Sequence, residues 1–296
     1  MTARPDGIPD RAPDGISDGI SDGIRDSRSA WAIDLNADVG ELPQRLADGR
    51  EAALIQQLSS VNIACGGHAG DADSMRAVLA ICRSAGVAVG AHPSYPDRAH
   101  FGRLAMDLEP AQLIDSFVRQ VTTLAQIAKQ AGMVLSHVKP HGALYHQAAD
   151  DLQIAETLLE ALRRLPEPVA WVGRAGSRGL QRFAAAGVPV VAEGFADRRY
   201  VSSGTLLDRR HPEALLSDAD AVAAQAVALA QHGRVRTQDW IDLSLSVDTL
   251  CLHSDTQGAE SLAGAVRAAL QAAGATVRAP RGVGSACLRP TKTDLD

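Results

Sequence analysis

The chain has 296 residues, room for one large α/β barrel or two small domains, and 46% of them are hydrophobic, ample for a core. A formal net charge of −6 and an aromatic content of 3% argue against a nucleic-acid partner, which would call for a cationic surface or stacking rings. No apolar run is long enough to span a bilayer and the N-terminus carries no apolar signal core, so no membrane partner and no export are expected.

Residues 1–30 repeat Asp-Gly-Ile four times between prolines, with little to bury, and are predicted to be a disordered low-complexity tail. From Trp31 onward short apolar runs alternate with Ala/Leu-rich segments. Strands are predicted at 31–36, 60–64, 87–91, 134–139, 169–173, 188–192, 246–252 and 275–279. Helices are predicted between them at 71–85, 110–131, 151–165, 177–187, 212–232 and 258–273. This alternation implies a parallel sheet with helical crossovers. Eight strands over one unbroken stretch, 31–285, suit a single (β/α) barrel domain, with 286–296 as a C-terminal tail; a doubly wound open sheet is the alternative. Cys65, Cys82, Cys251 and Cys287 form no CxxC pair, which suggests free thiols in a cytoplasmic protein.

Polar clusters fall at the C-terminal ends of the predicted strands, where parallel α/β folds bind ligands. The first strand carries Asp34, Asn36 and Asp38 on one face and runs on to Glu41. Asn62 leads into Gly66-Gly67-His68-Ala69-Gly70-Asp71, a small-residue turn before a helix that offers backbone N–H groups to an anion. His92 ends the third strand and Arg103 follows it. His137, Lys139 and His141 share a face of the fourth, which Pro140 terminates. Gly173–Ser177 is a second candidate anion turn. Glu193, Asp197 and Arg198 follow the sixth strand, and His253 ends the strand near 250. The plainer alternatives are Asp and Asn capping loop amides, and histidines satisfied within a core.

A lysine desolvated among imidazoles is expected to have a lowered pKa, suited to proton transfer or to an anionic intermediate. Asp38, His68 and His92 offer oxygen and nitrogen ligands to zinc or a similar divalent ion, although no HExxH pair anchors such a site. The chain has no phosphate loop of the Walker type and no GxSxG elbow, and Cys65 has no identified base.

The stretches IDLNADVGE (33–41), NIACGGHAGD (62–71), GAHPSYPD (90–97), FGR (101–103), HVKPHGALY (137–145), EGFADRRY (193–200), HGRV (232–235) and CLHSD (251–255) together resemble the lactam-utilisation (LamB/YcsF) family, described as the A subunit of a prokaryotic ATP-dependent 5-oxoprolinase. Gly67, His146, Ser203 and Ser254 depart from the family pattern, and Gly67 is expected to widen the pocket. The resemblance implies a distorted, TIM-like (β/α) barrel of the glycoside hydrolase/deacetylase type. It implies opening of 5-oxo-L-proline to L-glutamate driven by ATP, in a complex with subunits B and C, the ATP site lying on, or shared with, a partner. Within that chemistry Asp38 or His68 is the expected base. Lys139 and Arg103 face anionic oxygens, and His137 or His141 is the acid. Asp34, Asn36, Asn62, His92, Tyr145, Glu193 and His253 line the substrate site, with Asp197 and Arg198 on a closing loop. The alternatives are a metal-dependent amide hydrolase or deacetylase working without ATP, and a non-catalytic lactam-binding subunit.

Overall fold

Alternation along the first strand sets the plan of the molecule. In β1 (Trp31–Val39), Ile33, Leu35, Ala37 and Val39 are buried apolar residues, while Asp34, Asn36 and Asp38 occupy the alternate positions. A strand with two such faces packs its apolar side under helices and turns its polar side inward, because carboxylates against an apolar helix layer would be unpaired. The computed structural model describes residues 31–256 and 258–280. The expected disordered tail (1–30), the C-terminal tail (286–296) and Cys287 lie outside the described residues.

The further strands are β2 (Ser60–Ala64), β3 (Ala88–His92), β4 (Leu135–Val138), β5 (Ala170–Arg174), β6 (Val190–Phe195), β7 (Arg234–Arg236), β8 (Asp242–Ser244), β9 (Thr249–Leu252) and β10 (Ala275–Val277). Strands β1 to β6 and β9 are parallel neighbours in that order, and β9 pairs back onto β1, closing a seven-stranded barrel. β10 stands outside the closure. It pairs with β1 from Trp31 to Ile33, and from Asp34 onward β1 pairs with β9 instead. This change of partner makes the barrel a distorted TIM-like one, and it decides against the open doubly wound sheet. β7 and β8 form a small antiparallel ribbon that the alternation did not predict.

The helices are α1 (Pro43–Ala47), α2 (Arg50–Ile55), α3 (Ala72–Ala85), α4 (Pro110–Gln130), α5 (Gly142–Asp150), α6 (Leu152–Arg163), α7 (Arg178–Ala185), α8 (Ala219–His232) and α9 (Ala259–Ala272). Their starts are written locally. The Asp71 and Ser74 side chains form a reciprocal capping box at α3, Asp151 and Asp218 cap α6 and α8, and Pro110 opens α4. Both candidate anion turns are therefore used as caps: Asp71 closes one, and Ser177 Oγ accepts from Leu180 N in the other. The core lies between barrel and helices, with Trp171 stacked on Phe183 at 4.0 Å between ring centroids. Among the described residues no helix is long and apolar enough to cross a membrane.

Candidate active site

The barrel interior is polar on one side and apolar on the other, where Ala170, Val172 and Val191 form a small cluster. The polar side is a chain of paired groups running along the barrel axis. At the N-terminal end Asp34 accepts hydrogen bonds from Ser59, Ser60 and Thr249 at 2.6–2.7 Å. Burial pushes the Asp34 carboxyl up, and these three hydroxyls offset only part of that. One layer higher, Asn36 Nδ2 donates to Thr249 Oγ1 and to Glu193 Oε1, and Asn62 Nδ2 donates to Asn36 Oδ1 and Asp38 Oδ1. His137 Nε2 meets Asn62 Oδ1 at 2.8 Å. The ring reaches Asn62 by passing over Gly90, where an added Cβ would overlap His137 Nε2. Asp34 thus sits four residues, roughly 13 Å, below Asp38, at the end of the barrel away from the expected ligand mouth. A cavity of about 400 Å³ opens there, lined by Asp34, Ser60, His137, Asp248 and Arg278 among others.

At the C-terminal mouth Lys139 Nζ lies 3.0 Å from Asp38 Oδ1, 2.9 Å from Glu193 Oε1 and 3.2 Å from Cys251 Sγ. The expected lowering of the lysine pKa is reversed. Burial does push it down, but Asp38, Cys251 and Glu193 outweigh that and hold the ammonium charged. Burial also raises the Asp38 carboxyl, yet His92 and Lys139 keep it well below the usual carboxylate range. Burial pushes His137 down to about 3, and the neighbouring Lys139 ammonium adds to that, while its Nε2 holds Asn62. Burial and the neighbouring Glu193 carboxylate keep the proton on Tyr145. Burial lifts the Cys65 thiol to about 12, and burial also raises Cys251, so both are held as thiols.

Beside Asp38, Glu41, His68, His92 and His141 bring one donor atom each to within 4.8 Å of one another, a group that can hold a metal ion. Glu41 reaches it because Gly40, at φ 75°, turns the chain back at the end of β1. Glu51 and Arg45, both buried, brace that turn: Glu51 accepts from Gly40 N and from Arg45. His68 and His141 stack at 3.7 Å with their planes 4° apart, and Phe101 stands edge-on to both. Burial pushes His68 down to about 4. Arg103 stands at the rim, over the Phe101 ring and paired with Asp255.

A family model described as LamB/YcsF matches residues 33–284. The chain belongs to the LamB/YcsF family. It is 45% identical to the 5-oxoprolinase A subunit of Chloroflexus aggregans over 250 residues, 84% of this chain and 99% of that one. It is 42% identical to the 5-oxoprolinase A subunit of Bordetella pertussis over 248 residues, again 84% of this chain and 98% of that one. The crystal structure of the lactam utilization protein from Thermus thermophilus superposes with a TM-score of 0.78 at 35% identity, covering 84% of this chain and 99% of that one.

In this LamB/YcsF chain the strand-end residues divide into three places. Asp38, His68, His92, Lys139, His141, Tyr145 and Glu193 gather at the C-terminal mouth; Asn36, Asn62 and His137 lie beneath them; and Asp34 forms the floor. Asp197 and Arg198, expected on a closing loop, are both buried. Asp197 is fully buried and accepts from His253 N and meets its Nδ1, tying the end of β6 to the end of β9, and Arg198 donates to the Leu207 carbonyl. Gly67 does not widen a pocket: a Cβ there would overlap both Gln120 Oε1 and Ser94 Oγ. Sequence reasoning passed over Glu41 and Cys251. Glu41 stood in the first motif, and its signal was the Gly immediately before it.

Proposed function

We propose that the chain is the A subunit of an ATP-dependent 5-oxoprolinase, opening 5-oxo-L-proline to L-glutamate together with two partner subunits, B and C. One observation carries this reading. A held ammonium, a carboxylate and a buried, protonated phenol converge at one barrel mouth in a chain 42–45% identical to proteins named as the A subunit of 5-oxoprolinase. A five-membered lactam is an unreactive amide. Transfer of the γ-phosphoryl group of ATP to its oxygen, releasing ADP, makes the ring carbon electrophilic; one water then adds, the ring nitrogen leaves with a proton, and a second water releases phosphate.

In this scheme Lys139 Nζ pairs with the anionic oxygen and Asp38 accepts a hydrogen bond from the attacking water. Asp38 suits that place because 17% of its side chain is exposed while Lys139 and Glu193 are closed in. Tyr145 Oη, kept protonated beside Glu193, is the donor for the substrate. In this scheme Lys139 is committed to the lactam oxygen, and at the rim Arg103 and Arg209 share Asp255. The triphosphate is accordingly assigned to a site shared with, or lying on, one of the partners.

A second reading, metal-dependent hydrolysis of an amide without ATP, is favoured by the Glu41–histidine group. Following glutamate from 5-oxoproline separates the two, using the chain alone and with both partners, each with and without ATP. Glutamate formed only in the complete mixture with ATP supports the main reading. Glutamate formed by the lone chain without ATP overturns it.

A further inference from the structure

His92 and His141 each have one ring nitrogen whose role is fixed. His92 Nδ1 lies 2.7 Å from the carbonyl oxygen of Lys139, and His141 Nε2 lies 2.9 Å from that of Phe101. A carbonyl only accepts, so both nitrogens carry hydrogen, and in a neutral imidazole the other nitrogen is then a bare lone pair. Those two lone pairs, on His92 Nε2 and His141 Nδ1, face each other at 3.0 Å. The Glu41 carboxylate joins them, its Oε1 standing 3.1 Å from His141 Nδ1, 3.7 Å from His92 Nε2 and 2.8 Å from His68 Nε2. Asp38 Oδ2 closes the group 3.3 Å from His92 Nε2. Lone pairs and carboxylates so arranged at a largely buried site repel one another unless something positive lies among them. Lys139 does not fill that place, since its ammonium is turned to Asp38 Oδ1 and Glu193.

We propose that Glu41, His68, His92 and His141 form a binding site for one divalent transition-metal ion of the zinc type. Four ligands at ~2.1 Å around a tetrahedral ion stand roughly 3.4 Å from one another. The close donor separations here, 2.8 to 3.7 Å, bracket that spacing. Three imidazoles with one carboxylate suit zinc, iron, cobalt or manganese, whereas magnesium and calcium take oxygen donors. The outer hydrogen bonds to backbone carbonyls are the arrangement that fixes a ligating histidine in its tautomer and orientation. Phe101 supplies one of those carbonyls from a left-handed conformation, φ 56°, which is strained for a residue with a Cβ. The site is therefore built into the backbone as well as the side chains. Its use rests on the lactam reading, in which a bound cation would supply Lewis acidity to a carbonyl oxygen beside Asp38. Its occupancy does not rest on that reading.

The rival occupant is a single extra proton shared between His92 and His141, and metal analysis distinguishes the two. The full chain is purified without chelator and its metal content measured by mass spectrometry. It is then stripped, and Zn²⁺ and Co²⁺ are titrated back, with cobalt followed by its visible absorption. The expected result is about one equivalent per chain, with affinity lowered roughly 100-fold or more in Glu41→Gln and in His141→Ala. His232→Ala, on the surface, is expected to bind as the parent does. Circular dichroism checks each fold, and Glu41→Gln, close in shape, serves if His141→Ala does not fold. A folded chain that takes up neither ion, or uptake unchanged in both site variants, overturns the proposal. Retained metal with no lactam opening in the complete mixture would overturn the functional reading alone.

Discussion

Lys139 Nζ and Glu193 Oε1 lie 2.9 Å apart although their strands stand two apart in the barrel wall. With Asp38 on the other side, the ammonium is what allows a buried and a half-buried carboxylate to coexist. Lys139→Met leaves those charges facing each other and is expected to cost about 3–5 kcal/mol, a fall in Tm of roughly 6–20 °C. Adding Glu193→Gln is expected to restore part of that loss. Thermal unfolding of the single and double variants measures both, and an unchanged Tm for Lys139→Met would refute the account. Glutamate formation by the assembled enzyme is expected to fall by roughly 100-fold or more.

Asp34 predicts a pH dependence of definite sign. Burial raises its carboxyl pKa in the folded chain, so the stability it contributes is present in full below the unfolded value near ~3.9 and is lost as pH rises through the folded value. Asp34→Asn removes that dependence. The variant is expected to gain on the parent between pH 4 and pH 7, measured by urea unfolding at several pH values. A difference that is flat or reversed would contradict the assignment.

Asp197 predicts the opposite sign. Burial raises its carboxyl, but His253 and the hydrogen bonds it makes hold the pKa below the usual range. Its contribution is present above the unfolded value and disappears as pH falls through the folded one. Asp197→Ala is expected to cost about 1–3 kcal/mol at neutral pH, through the hydrogen bonds lost by His253. Comparing urea midpoints of parent and variant at pH 7 and pH 3.5 tests it, the gap narrowing at the lower pH.

Gly90→Ala places a methyl group where the His137 ring lies and is expected to cost about 1–3 kcal/mol by overpacking. Removing the ring as well, in Gly90→Ala with His137→Ala, is expected to cost less than the two separate losses added together. Strict additivity in thermal unfolding would mean that the two residues do not compete for the same space.

Much of this was legible in the chain. The strands were readable because each ends in turn chemistry, and the shared face of Asp34, Asn36 and Asp38 followed from the period of two. Depth was not readable: periodicity says that Asp34 and Asp38 look inward, but not that one lies at the floor and the other at the mouth. The sign of the Lys139 shift was missed because Asp38 and Glu193 come from other strands, and only closure of the barrel sets them on either side of it. Glu41 was overlooked for a related reason. Its place depends on a single glycine turn, and nothing in the segments around His68, His92 or His141 signals where that turn carries it. The β7–β8 ribbon escaped because three-residue strands carry too little pattern.

The pairing of Trp31 with Ala275 places the first and last described strands side by side, away from the reactive groups. The order in which the chain visits the barrel wall is therefore separable from the wall itself. A circular permutant that links this pair and opens at the exposed segment 166–168, between α6 and β5, would keep every barrel neighbour. It would also carry its new termini on a different flank, leaving the mouth as it is.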